Sequence, residues 1–329
     1  MIQNQWYVVL ESKEVKPGKA LGVTRMGEKM VFWRTANGKV ACMSDICAHI
    51  GAPLSLGKVC GDTLMCPFHG FEYDPSGHCR FIPSLGKDGA VPKAMRVKSY
   101  PTYETHGWIW MYWGEEKADL KPPKWFDIDD SFSSSGFHEH WPVHYSRMVE
   151  NQLDMAHLAF VHTDTIGRGK RVVVDGPLVQ WDEDVMNLWV YNRQDDGFPP
   201  RRSEELPAPT RPPFLVLNFP NLWENRISED LRIVAAFVPV DDENSIIYIR
   251  NYQRIIKIPL LRNLMDALQN VGSIHILHQD KRIVLRQLPL KTKLKKFGEK
   301  LVPGDAAILA FRKRRHHLKV ETGQITEKA

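Results

Sequence analysis

Two short stretches, Cys47-Ala48-His49 and Cys66-Pro67-Phe68-His69, stand sixteen residues apart and constrain this chain more than anything else in it. Two thiols and two imidazoles at this spacing make a four-ligand metal site. A Cys2His2 zinc finger gathers its cysteines in one knuckle and its histidines on a helix. Here each loop carries one of each, which suits a binuclear centre with two thiolates on one iron and two imidazoles on the other. Gly51, Gly57, Gly70 and Gly77, with Pro53, Pro67 and Pro75, mark the tight turns that two loops clamping a small inorganic core require.

Residues 47–79, CAHIGAPLSLGKVCGDTLMCPFHGFEYDPSGHC, resemble the cluster-binding segment of Rieske proteins. The resemblance implies a [2Fe–2S] cluster held by Cys47, His49, Cys66 and His69. High-potential Rieske proteins add a disulfide between the loops, where this chain has Ala52 and Phe68, and a Ser after His-Gly, where it has Phe71. Fewer hydrogen bonds to the sulfurs lower the potential, so a value near the bottom of the Rieske range, about −150 mV, is expected. Such a cluster suits a reductase as its electron source.

At 329 residues the chain is long enough for two domains with separate cores. Its 43% hydrophobic and 25% charged residues are ordinary for a globular protein. No apolar run approaches the roughly eighteen residues of a membrane span, so membrane association is not expected. The N-terminal MIQNQWYVVLESKEV lacks a basic region followed by an apolar core, so no secretory signal is expected. Beyond the two cluster cysteines, Cys42, Cys60 and Cys79 read as free thiols, which suit a reducing, cytoplasmic compartment. The net charge of +5 is uneven: residues 281–319 hold thirteen Lys or Arg against Glu299 and Asp305, densest over 312–317. That segment reads either as a docking face for an acidic electron donor or a membrane surface, or as a solvated helix face with a frayed tail. A nucleic-acid partner is not expected, because no aromatic residues interleave with the basic ones.

Residues 1–117 read as an all-β domain, with apolar runs at 6–10, 30–34, 40–43, 94–100 and 108–113 and a hairpin at Asn37-Gly38. Residues 118–137, rich in Pro, Asp and Ser, read as a linker. A second domain is expected over 138–290, with a strand over 138–147 leading to a helix near 149–161. Further strands are expected at 171–181, 186–193, 214–219, 232–238 and 245–254, and a long helix from Pro259 to about 288. The proline-rich stretch 197–213 suits only an exposed loop. Residues 291–329 form the basic C-terminal segment. The fold class is α+β: an all-β domain, then an antiparallel sheet wrapped on a long helix.

Residues 151–162 read Asn-x2-Asp-x2-His-x4-His. His157 and His162 are five apart, about 140° on an ideal helix, so one metal can take both only if the helix ends or bulges between them. The pattern resembles the mononuclear iron motif of the Rieske non-haem iron oxygenases, in the branch of monooxygenases and O-demethylases. That resemblance extends from residue 6 to about 287. It implies Fe(II) on His157 and His162, with Asp280, in HQDKRIVLRQ, as the third ligand. Two His and one carboxylate with open positions is the set that O₂-activating non-haem iron uses. It also implies a helix-grip catalytic domain, and a link from Asp154 to both His157 and His69 of a neighbouring copy in a homotrimer.

The implied activity is hydroxylation or oxidative demethylation of a largely hydrophobic organic substrate, using O₂ and electrons from a flavin/iron–sulfur reductase or a ferredoxin. Ring dihydroxylation, and electron transfer without oxygenase activity, are the alternatives. A pocket between the late helix and the sheet is expected, lined by Phe160, Phe214, Leu217, Phe219 and Ile276.

Overall fold

A computed structural model describes residues 1–115, 119–292 and 298–326. The expected domain end at residue 117, Lys293, Lys295 and Lys296 of the basic segment, and residues 327–329 lie outside the described residues. The chain divides into two compact units.

The first unit comprises Gln3–Pro123 with Pro239–Asp241. Its strands are β1 (Gln5–Glu11), β2 (Leu21–Arg25), β3 (Glu28–Arg34), β4 (Val40–Ser44), β5 (Lys58–Cys60), β6 (Thr63–Met65), β7 (Glu72–Tyr73), β8 (Cys79–Phe81), β9 (Ser99–Tyr100), β10 (Thr102–Thr105) and β11 (Trp108–Trp113). They form three sheets, β1-β11-β10, β2-β3-β4-β9 and β5-β6-β7-β8. The apolar β11 is central in its sheet, because a strand with both faces buried can carry Trp and Met on each. Asn37-Gly38 closes the β3–β4 hairpin, with Arg34 opposite Val40. The two Cys/His loops follow β4 and β6. They rest on a core that includes Trp33, Met43, Leu64, Phe71 and Tyr73.

The second unit comprises Lys124–Val238 with Asp242–Ala329. It contains β12 (Ser133–Trp141), α1 (Tyr145–Leu153), α2 (Leu158–Val161), β13 (Val173–Asp182), β14 (Val185–Arg193), β15 (Leu215–Asn218), β16 (Leu222–Ser228), β17 (Leu231–Pro239), β18 (Ser245–Gln253), α3 (Pro259–Val284) and α4 (Ala306–Glu321). The seven strands form one sheet, in the order β12-β18-β17-β16-β15-β14-β13.

Several elements depart from expectation, among them the strand expected over 138–147, which ends at Trp141 with α1 beginning at Tyr145. The linker expected over 118–137 ends early: Ser133 already pairs with Gln253, and its hydroxyl accepts from Gln253 Nε2 at 2.7 Å. An edge strand needs backbone pairing on one side only, so a Ser-rich segment suffices. The strand β16 has no apolar signature in the sequence, because Glu224-Asn225-Arg226 interrupts the pattern. Glu224 is nevertheless buried, 3.2 Å from the buried Arg232 of β17. Finally, the densest basic run lies on α4 and turns partly inward.

Arg312 is buried and donates to both carboxylate oxygens of Glu150, at 2.9 and 2.7 Å. Glu299 accepts from Arg312 at 2.7 Å and from Arg147 at 2.6 Å, and Arg147 lies 3.3 Å from Glu150. The four charges close an alternating ring that ties α1 to α4. Arg315, also buried, donates to Thr292 at 2.7 Å.

The helix α3 sits the other way round from most surface helices. Its polar side faces the sheet, where Asn270 accepts from Asn251 at 3.0 Å and Ser273 donates to Asn251 at 3.2 Å. Leu260, Leu264, Leu268 and Val271 are 60 to 80% exposed. This apolar stripe is left uncovered within the described residues.

Candidate metal centres

The loops after β4 and β6 repeat one backbone pattern. Cys47 N–H donates to the Ala52 carbonyl, and Gly51 N–H returns to the Cys47 carbonyl, at 2.8 and 3.0 Å. Cys66 N–H donates to the Phe71 carbonyl, and Gly70 N–H returns to the Cys66 carbonyl, at 2.7 and 3.1 Å. Gly51 and Gly70 both have positive φ, +78° and +72°, which a side chain would strain. Cys47 and Cys66 are buried, while His49 and His69 are exposed with ring centroids 4.8 Å apart. His49 stacks on Phe71 at 4.7 Å. Burial pushes the Cys66 thiol up, with Cys47 adding to the shift, so this thiol sits where ionisation is opposed. A cationic iron pair would relieve that, with the imidazoles towards solvent. The donor set fits a [2Fe–2S] cluster.

One further residue of this site, Tyr73, lies on β7, beyond the second loop. The Tyr73 hydroxyl lies 3.1 Å from Cys47 Sγ. Against a thiolate ligand it can only donate. The expectation of fewer hydrogen bonds to the sulfurs, drawn from Ala52, Phe68 and Phe71, does not count this donor, whose sequence signal is its place four residues after His69. Cys42, Cys60 and Cys79 are free, and burial lifts the Cys42 thiol well above its usual range.

The second site depends on a break in a helix. The helix α1 ends at Leu153, and Asp154 takes extended backbone angles, φ −84° and ψ 116°. Asp154 Oδ1 then accepts from the backbone N–H of Ala156 at 2.8 Å and of His157 at 3.2 Å, restarting the chain as the single turn α2. His157 and His162 flank that turn, which resolves their five-residue spacing.

Asp280, on α3, meets them: its Oδ1 is 3.0 Å from His162 Nε2 and 3.5 Å from His157 Nε2. One ligand atom from each of the three lies within 4.8 Å of the others. The side chains are 1, 13 and 6% exposed for His162, His157 and Asp280. Asp280 Oδ1 is buried and has no hydrogen-bond donor. A buried anionic oxygen between two imidazole nitrogens is costly unless a proton or a metal cation sits between them. The residues fit a divalent metal.

Burial alone would push the His157 imidazole down, but Asp154 and Asp280 outweigh it and hold its pKa at about 9. Burial would raise Asp280, and the two histidines outweigh it, to about 2. His157 Nδ1 is 3.8 Å from Asp154 Oδ2, beyond hydrogen-bond range. His162 Nδ1, by contrast, lies 2.7 Å from Gln279 Oε1. Asn151 Nδ2 is buried near this break without a partner.

A cavity of about 720 Å³ adjoins this turn, with Leu158 and Ala159 of α2 in its wall. Tyr191 and Phe214 supply apolar surface, and Arg171, Arg193 and Arg201 supply charge. The buried Asp175 is already occupied by Arg201 at 2.8 Å and Arg193 at 3.2 Å. Of the five expected lining residues, only Phe214 lines this cavity. Phe160 is 68% exposed, and Leu217 and Phe219 are buried, Phe219 against Phe311 of α4.

Comparison with known proteins bears on both units. Residues 5–101 match the Rieske [2Fe-2S] domain, and residues 141–321 match the vanillate O-demethylase oxygenase C-terminal domain. The iron–sulfur subunit of the toluene-4-sulfonate monooxygenase system of Comamonas testosteroni is 32% identical over 170 residues, 50% of this chain and 48% of that one. The oxygenase component of dicamba O-demethylase from Stenotrophomonas maltophilia is 33% identical over 184 residues, 53% of each chain. The chain spans about half the length of the curated relatives it matches. The crystal structure of dicamba monooxygenase bound to dicamba shares the fold, with a TM-score of 0.74, 20% identity and coverage of 99% of both chains. The second match alone spans more than half of the residues: the chain belongs to the vanillate O-demethylase oxygenase C-terminal domain family, and it carries a Rieske [2Fe–2S] domain ahead of that match.

Proposed function

We propose that this protein is the oxygenase component of a Rieske non-haem iron monooxygenase that hydroxylates or oxidatively demethylates an organic substrate. The observation that carries this reading is the buried triad of His157, His162 and Asp280, with an orphaned carboxylate oxygen between two imidazoles. Cys47, His49, Cys66 and His69 would hold the [2Fe–2S] cluster, and the triad would hold Fe(II). Iron in the triad supplies the one-electron chemistry with O₂ that side chains lack. The protein's own residues bind and orient. Asp154 shapes the α1–α2 break that aims both histidines at Asp280. Leu158, Ala159 and Phe214 present apolar surface to a substrate body and limit water. Arg171, unpaired among the described residues, and its neighbours Arg193 and Arg201 favour a substrate that joins a hydrophobic ring to an anionic group.

An external flavin/iron–sulfur reductase or ferredoxin would deliver the electrons. Self-association, as a homotrimer, is part of the proposal. The uncovered apolar stripe of α3 supports burial against another chain. The Asp154 carboxylate, 32% exposed, is accessible to a neighbouring copy. Among the described residues no helix is long and apolar enough to cross a membrane. The free thiols of Cys42, Cys60 and Cys79 support a reducing, cytoplasmic location.

The test is Asp280→Ala in anaerobically purified protein supplied with a surrogate reductase. The variant should keep the cluster's visible absorption, lose mononuclear iron and stop oxidising methoxylated aromatic acids, with formaldehyde as the scored product. Undiminished oxidation in that variant would refute the assignment.

A further inference from the structure

The helix α3 grips His162 from two sides. Asp280 faces its Nε2 at 3.0 Å, and the preceding residue, Gln279, faces its Nδ1 at 2.7 Å. The orientation of the Gln279 amide follows from a third group. Asp164 Oδ1 is 2.6 Å from Gln279 Nε2, and a carboxylate can only accept, so the amide nitrogen must point there. The amide oxygen then points at His162, and Thr165 Oγ donates to the same oxygen at 3.0 Å. A carbonyl oxygen also only accepts. A proton of His162 therefore sits on Nδ1, which leaves Nε2, beside Asp280, as the nitrogen a metal would take. His157 has no equivalent partner, since Asp154 Oδ2 stands 3.8 Å from its Nδ1.

We propose that Gln279, oriented by Asp164 and Thr165, is a positioning residue that sets the tautomer of His162 and with it the metal affinity of the triad. The inference rests on the metal-site reading above and goes beyond it by assigning work to residues outside the triad. Groups that hold the free nitrogen of a ligating histidine fix the ring and raise its basicity. A Gln that merely decorates the helix would have no reason to meet a buried imidazole and a loop carboxylate at once.

The experiment compares wild type, Gln279→Leu and a Glu variant, Gln279→Glu combined with Asp164→Asn, purified anaerobically with the cluster intact and the mononuclear iron removed by a chelator. Leu deletes the acceptor at similar volume, whereas Glu keeps an acceptor on His162 and the introduced asparagine amide supplies the donor that its second oxygen then needs. Nitrogen-15 spectra of histidine-labelled, metal-free protein read the tautomer, and competition against a ferrous chelator reads Fe(II) affinity. His162 should carry its proton on Nδ1 in wild type and lose that preference in the Leu variant. Fe(II) affinity should fall roughly 10- to 100-fold in the Leu variant and recover in the Glu variant.

Equal affinity in Gln279→Leu and wild type, or a His162 Nδ1 that carries no proton in wild type, would overturn the proposal. So would an equal loss in both variants, which is what a purely structural Gln279 predicts. Wild-type protein whose Fe(II) binding is indifferent to Asp280→Ala would instead sink the metal-site reading, and the affinity claim with it. The tautomer measurement, which needs no metal, then decides the Gln279–His162 bond by itself.

Discussion

Asp280 Oδ1 stands 3.5 Å from His157 Nε2, and this pairing, with Asp154 on the other side of the ring, holds the imidazole as a cation at neutral pH. Its folded pKa of about 9 lies above the unfolded value. The pairing therefore stabilises the metal-free fold fully below the unfolded pKa of about 6.5, and that contribution is lost as pH rises through about 9. A metal ligand must be neutral, so metal binding has to expel this proton. At pH 7, loading Fe(II) should release about one proton, and apparent affinity should rise about tenfold per pH unit up to the pKa. Calorimetry in two buffers of different ionisation enthalpy measures the proton count. Metal binding with no proton uptake by the buffer would contradict the pairing.

Tyr73 should set part of the cluster potential. Reduction adds negative charge to the cluster, and a hydroxyl 3.1 Å from Cys47 Sγ stabilises that charge. A hydrogen bond worth about 1 kcal/mol more in the reduced state corresponds to roughly 40 mV for a one-electron couple. Tyr73→Phe should lower the potential by about that amount while leaving the absorption spectrum nearly unchanged. Redox titration followed by electron paramagnetic resonance reads it, and an unchanged or higher potential would count against the bond.

The ring of Arg147, Glu150, Arg312 and Glu299 makes a stability prediction. Glu150→Ala leaves Arg312, only 2% exposed, without its two-pronged partner. Removing one member of a buried pair costs roughly 3–5 kcal/mol. Denaturant unfolding should show a loss of that order. A loss of under about 1 kcal/mol, the scale of surface pairs, would mean that α4 relaxes and lets water reach Arg312.

Arg171 lines the cavity and has no carboxylate partner among the described residues, unlike Arg193 and Arg201. Arg171→Gln should weaken binding of an aryl carboxylate such as 4-methoxybenzoate by about tenfold, equivalent to about 1.4 kcal/mol. Binding of the corresponding methyl ester should not change. Equal effects on acid and ester would show that the guanidinium acts through packing rather than charge.

The sequence by itself determined what is local. Each Cys/His loop closes its own hydrogen bonds within five residues, so its spacing carries its geometry, and the β3–β4 hairpin and the start of α3 at Pro259 are legible for the same reason. The α1–α2 break was legible only as a condition, that two imidazoles five residues apart need one.

Tertiary structure decided whatever depends on a distant partner. It brings Asp280 to the histidines, Gln279 to His162 and Glu150 to Arg312, and it lets the polar centre of β16 be buried beside Arg232. A charged side chain is buried only if its counter-charge arrives, and that charge comes from segments far along the chain. The basic C-terminal run therefore reads as a surface face in isolation, and two of its residues, Arg312 and Arg315, become part of the core once α4 meets α1.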